Sequence, residues 1–131
     1  MTIELRRLEM RDLDRIEEIE RESYPTPWSR SMFAGELAKP SSICLGAFDT
    51  ESGALVGYLI ICRYVDAWHV MNVAVAPSER RRGIAQYLLE RLFELTANDS
   101  RRGYYTDNRE DALIMWKDPL PTAQPAGDAR T

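Results

Sequence analysis

The stretch Asn72-Val73-Ala74-Val75-Ala76-Pro77-Ser78-Glu79-Arg80-Arg81-Arg82-Gly83-Ile84-Ala85 decides the reading of this chain. An apolar strand ends, a proline breaks it, three arginines and a glycine follow, and a helix begins. The first turn of a helix leaves backbone N–H groups without intrahelical acceptors, and the macrodipole adds partial positive charge there, so phosphates bind well. Gly83 has no side chain to hold a ligand away from the backbone, and the neighbouring arginines add donors suited to phosphate. The stretch therefore reads as a pyrophosphate cradle made of strand, loop and helix start. The plainer alternative is a solvated basic turn ahead of an ordinary amphipathic helix.

Working outward, Ile3 and Leu5 alternate with polar neighbours and predict a short first strand. The segment Asp12 to Glu22 places Leu13, Ile16 and Ile19 on one helical face, and Tyr24-Pro25-Thr26-Pro27 breaks that helix. Ser29 is a natural N-cap for a second helix carrying Met32, Phe33 and Leu37, with Trp28 and Phe33 at the positions of a hydrophobic staple. Strands are predicted over Ile43 to Phe48, Ala54 to Arg63 and Trp68 to Val75, with turns at 49–53 and Val65-Asp66. Ile84, Leu88 and Leu92 then form a helical stripe running to about Thr96, and Ala112 to Trp116 is a last apolar strand. This order of elements is α+β, with a mostly antiparallel sheet flanked by helices. No repeat with a period of 20 to 50 residues is visible.

With 131 residues, 44% hydrophobic and 29% charged, the chain suits a single globular domain. We place that domain at residues 1–118 and expect a disordered tail at 119–131, where Pro119, Pro121 and Pro125 accompany little that could be buried. A net charge of −4 argues against generic nucleic-acid binding and confines any polyanion contact to Arg80–Arg82. No window has the apolar length of a membrane span, and the first residues lack the layout of a signal peptide, so neither membrane insertion nor export is expected and a cytoplasmic location follows by default. Cys44 and Cys62 lie in apolar runs and read as buried thiols. His69 is the only histidine and has no companion ligands, so no metal site is expected.

Arg81-Arg82-Gly83-Ile84-Ala85 after the Asn72-Val73-Ala74-Val75 strand resembles the coenzyme A signature of the GCN5-related N-acetyltransferase (GNAT) superfamily. Asp12-Leu13, Pro27-Trp28-Ser29, Arg102-Gly103-Tyr104-Tyr105 and Arg109-Glu110-Asp111-Ala112-Leu113-Ile114-Met115 extend the resemblance, which is greatest to its ribosomal-protein-alanine, RimI-type members. It implies a GNAT-like mixed sheet, acetyl-CoA as cofactor, and a protein or peptide N-terminus as acceptor, a ribosomal protein being one candidate. The same resemblance implies cofactor contacts from Val73, Ala74, Val75, Arg81, Arg82, Gly83, Ile84, Ala85 and Gln86, and acceptor contacts from Pro27, Trp28, Tyr104 and Tyr105. Plain strand packing would equally account for the two tyrosines.

One segment of the family pattern is missing internally. Members carry a strand, a further helix and an apolar Gly-Phe turn between the cofactor helix and the Arg-Gly-Tyr-Tyr segment, whereas here Ser100 is followed at once by Arg101. The resemblance places a general-base glutamate on that strand, and an asparagine near the cofactor and a general-acid tyrosine on that helix. No catalytic residue can be assigned in their place, so an impaired acetyltransferase is expected. The alternative is a non-catalytic relic or coenzyme A-binding module of the same fold. The missing strand would also leave Asn72 to Val75 with an unpaired edge, which Ala112 to Trp116 or a second molecule is expected to cover.

Overall fold

The computed structural model describes residues 2–65 and 67–97, and the backbone of 103–106. Five strands form one sheet in sequence order: β1 (Ile3–Arg7), β2 (Ser42–Asp49), β3 (Leu55–Tyr64), β4 (Ala67–Val75) and β5 (Gly103–Thr106). The pairs from β1 to β4 are antiparallel, and β5 runs parallel to β4. Three α-helices accompany them, α1 (Leu13–Ser23), α2 (Arg30–Ala38) and α3 (Ile84–Leu95), with single 3-10 turns at Met10–Asp12 and Pro77–Glu79. The α+β reading holds, as do the second-helix cap and the helix end near Thr96. Ser29 accepts the Met32 N–H with its side chain, and the Trp28 and Phe33 rings meet with centroids 5.1 Å apart, as a staple requires.

The helices divide between the two faces of the sheet. On one face Leu13, Ile16 and Ile19 of α1 and Phe33 of α2 pack against Cys44, Phe48, Tyr58, Ile60 and Ala74. On the other, Ile84, Leu88, Leu89 and Leu92 of α3 pack against Leu45, Leu59, Val70, Val73 and Val75. Side chains of this size contribute about 1.5–3 kcal/mol each when fully buried, so α3 is held mainly by this stripe. Gly57 lets its first turn approach closely. A Cβ there would lie 3.1 Å from the Ala74 carbonyl oxygen and 3.3 Å from both Ile84 Cγ2 and Val75 Cγ2.

β4 changes phase halfway along. Ile60 pairs with Asn72 and Ile61 with Val70, so Met71 is an extra residue opposite β3, a β-bulge. The bulge moves the α3-facing positions from Trp68 and Val70 to Val73 and Val75. It also coincides with the end of β5 pairing, which runs from Ala67↔Gly103 to Val70↔Thr106.

The described partner of β4 is a segment that the sequence did not single out as a strand. The strand beside β4 is Gly103–Thr106, so Tyr104 and Tyr105 are strand residues, and it covers Ala67 to Val70 rather than Asn72 to Val75. The physical reason is the open edge itself: its exposed N–H and C=O groups can capture an extended segment rich in tyrosine and threonine, which suit strands. The predicted strand at Ala112 to Trp116 and the predicted tail at 119–131 lie outside the described residues.

Candidate functional site

The strand, loop and helix start follow one another as the sequence suggests. β4 ends at Val75, Ala76 donates its N–H to the Val56 carbonyl at 2.8 Å, and Pro77 opens a single 3-10 turn. Two residues then take the left-handed conformation, Arg81 at φ 68° and Gly83 at φ 79°. Gly83 is the N-cap of α3 and supplies no side-chain cap. The N–H groups of Ile84, Ala85 and Gln86 in the first turn therefore lack intrahelical acceptors and are available to an anion. A phosphate fits this geometry, since nothing in the N-cap side chain competes for those donors.

The three arginines have different roles. Arg80 donates from Nε to the Val75 carbonyl at 2.9 Å and from a terminal nitrogen to Ser23 Oγ at 3.1 Å, tying the loop to β4 and α1. Arg82 is paired with Glu79. Arg81 is exposed and forms no ion pair among the described residues, which leaves its guanidinium available for a phosphate. Gln86 points its amide to Glu90 Oε2 at 3.1 Å.

Beyond the bulge, the outer edge of β4 carries hydrogen-bonding groups that β5 does not pair. Val73 accepts the Tyr24 hydroxyl and Val75 accepts Arg80, so both carbonyls point away from β3. Backbone groups of one strand residue share a side, which puts the Val73 and Val75 N–H groups on that edge too. Ala74 is different: it pairs with Tyr58 and turns its backbone toward β3. An extended, amide-containing arm can add to this edge as a strand would. Parallel pairing up to Val70, followed from Val73 by an edge that no described strand pairs, makes a wedge leading toward the start of α3.

The acceptor side is placed in part. Pro27 and Trp28 lie between α1 and α2; Pro27 is exposed, and Trp28 is half-buried against the cluster that includes Met71 and Ala74. Tyr104 and Tyr105 pair through their backbones with Trp68 and His69.

Sequence reasoning missed the polar centre under the wedge. Glu20 of α1 is fully buried and accepts hydrogen bonds from the Trp28 N–H at 2.9 Å, the Tyr58 hydroxyl at 2.5 Å and Asn72 Nδ2 at 2.9 Å. The signal was present in the periodicity. Leu13, Ile16 and Glu20 follow helical spacing, so a carboxylate occupies a core-facing position.

Neither cysteine offers a nucleophile. Both are free and buried, as expected. Burial, aided by the nearby Glu36 charge, pushes the Cys44 thiol up from 9.0 to about 12. Since the folded state holds that proton more tightly, the associated stability is complete below pH 9.0 and is lost as pH rises toward about 12. Among the described residues no cluster of three His, Cys, Asp or Glu side chains could hold a metal ion, and no helix is long and apolar enough to cross a membrane.

Comparison with known proteins agrees with this geometry. The model of the Acetyltransferase (GNAT) family matches residues 13–116. A Bacillus subtilis protein provisionally named a ribosomal protein bS18-alanine N-acetyltransferase is 28% identical over 141 aligned positions, covering 86% of this chain and 93% of that protein. The ribosomal-protein-S18-alanine N-acetyltransferase of Escherichia coli superposes with a TM-score of 0.73 at 22% identity, over 87% of this chain and 74% of that one. Arabidopsis thaliana NAA60, solved with acetyl-CoA, superposes with a TM-score of 0.73 at 20% identity, over 88% of this chain and 84% of that one.

Proposed function

This chain belongs to the acetyltransferase (GNAT) family, and on that premise we propose that it transfers the acetyl group of acetyl-CoA to the N-terminal α-amine of a protein. The observation that carries the cofactor half is the uncapped start of α3 beside the open edge of β4. Acetyl-CoA supplies an activated acyl thioester, a pyrophosphate and a pantetheine arm. In this reading the N–H groups of Ile84 to Gln86 and the Arg81 guanidinium hold the pyrophosphate. Arg82, shared with Glu79, adds charge beside it. The Val73 and Val75 N–H groups align the arm, while Ala74 gives only a small side chain on the opposite face.

The acceptor half rests on the Bacillus subtilis relative, whose provisional name specifies N-acetylation of an alanine of ribosomal protein bS18, and on the Pro27-Trp28-Ser29 segment. A ribosomal protein is the corresponding acceptor, and a cytoplasmic location fits it. Pro27 and Trp28 form one lip of the acceptor groove, with Tyr104 and Tyr105 assigned to the other. Transfer requires a base for the amine and an acid for the thiolate. The family segment that carries both is missing between Ser100 and Arg101, so transfer is slow in this chain. The same loss supports a second reading, a coenzyme A-binding module without catalysis.

The phosphate assignment is tested by titrating acetyl-CoA, and separately pantetheine, into the Arg81→Ala, Arg82→Ala double variant. Only the coenzyme presents a pyrophosphate to charged donors. Its affinity is expected to fall about tenfold or more, on the basis of about 1.5–3 kcal/mol for a hydrogen bond to a charged group, while pantetheine binding is unaffected. Equal losses for both ligands would mean that the arginines serve folding instead.

A further inference from the structure

The wedge and the acceptor lip are joined by a single buried carboxylate. Glu20 receives the Trp28 N–H on Oε2 and the Tyr58 hydroxyl and Asn72 Nδ2 on Oε1. Trp28 precedes the N-cap of α2, so no helix or strand ladder takes its N–H. Asn72 stands directly after the bulged Met71, where the open edge of β4 begins. One helical turn beyond Glu20, Tyr24 donates to the Val73 carbonyl. The end of α1 is thus stitched to two consecutive residues of β4, and Glu20 extends the stitch to the loop that carries Trp28.

An apolar side chain at position 20 would leave the Trp28 N–H, the Tyr58 hydroxyl and the Asn72 amide buried without this acceptor, which costs stability whatever the role of Glu20. A methionine at position 20 would continue the Leu13, Ile16 and Ile19 face. What only an acceptor can provide is a fixed partner for the Trp28 amide. Among the described residues the buried Asn72 Oδ1 atom has no hydrogen-bond partner, while the Nδ2 group of the same amide is turned toward Glu20.

We propose that Glu20 is a positioning residue for the acceptor: it locks the Trp28 lip of the groove to the strand that carries the cofactor. This rests on the acetyltransferase reading of the site. Glu20 is fully buried and touches neither substrate, so its effect passes through Trp28.

The experiment compares the full chain with Glu20→Met and Glu20→Gln. Three quantities are read: amide hydrogen exchange at Trp28, KM for an alanine-starting peptide, and acetyl-CoA affinity by titration. Glu20→Met keeps side-chain length and removes every acceptor. It is expected to speed Trp28 exchange and to raise the peptide KM about tenfold, as loss of one hydrogen bond to a charged group would, with acetyl-CoA affinity unchanged. Glu20→Gln keeps one carbonyl oxygen and is expected to restore most of the Trp28 protection and of the peptide KM. A lower melting temperature is expected of Glu20→Met on either view; a general structural role would weaken both ligands together. Unchanged Trp28 exchange in Glu20→Met, or a raised KM without faster exchange in either variant, would overturn the proposal. If Glu20→Met does not fold, the coupling of KM to Trp28 exchange in Glu20→Gln decides. If the parent transfers no acetyl group, the acetyltransferase reading fails, while Trp28 exchange and peptide affinity by titration still decide the role of Glu20.

Discussion

Gly83→Asp is expected to remove acetyl-CoA binding. Gly83 caps α3 without a side chain and holds φ at 79°, so the first-turn N–H groups stay open. An aspartate there would do two things at once. Its carboxylate can cap those N–H groups, as aspartate commonly does, and it would place a negative charge where the pyrophosphate binds. Like-charge repulsion and lost donors together cost on the order of a few kcal/mol, about 100-fold or more in affinity. Gly83→Asn is the control, because it carries the same left-handed backbone burden and nearly the same shape without the charge. Isothermal titration of both variants separates charge from strain: Asp should bind far more weakly than Asn. Parent-like affinity in Gly83→Asp would remove the cradle from the account.

The second large effect is a gain. Inserting the family's strand–helix segment between Ser100 and Arg101, with its glutamate and tyrosine, is expected to raise kcat by about 10²–10⁴-fold, the range for positioned acid–base groups. Acetyl-CoA affinity should change little, since the cradle residues are already in place. The inserted strand would replace Gly103–Thr106 beside β4, which frees Tyr104 and Tyr105 for the acceptor groove. Steady-state kinetics on an alanine-starting peptide would read the change. Parent turnover equal to that of the restored chain would mean that other residues supply the base and acid, with Tyr104 or Tyr105 the first candidates for the acid.

Local signals made most of the fold legible. The α1 face, the Ser29 cap, the Trp28–Phe33 staple and the α3 stripe all follow from spacing and capping chemistry within a few residues. The uncapped start of α3 was legible for the same reason, because Gly83 and the arginines adjoin that helix. What escaped was non-local. The bulge at Met71 is marked by no glycine or proline in the strand Ala67–Val75, yet it sets which β4 residues face α3. The partner of β4 depends on which segment meets an exposed edge, and nothing local in Gly103–Thr106 announces that it pairs with Ala67 to Val70. Glu20 was hidden because its donors come from residues 28, 58 and 72, far apart in sequence.

The central claim is that this chain, as it stands, carries acetyl groups from acetyl-CoA to an N-terminal α-amine. Mass spectrometry of an alanine-starting peptide containing one internal lysine, incubated with the full chain and isotope-labelled acetyl-CoA, tests it most directly. The account predicts slow labelling confined to the α-amine and absent with Gly83→Asp. Labelling of the lysine instead, or no labelling above a reaction without protein, would contradict it.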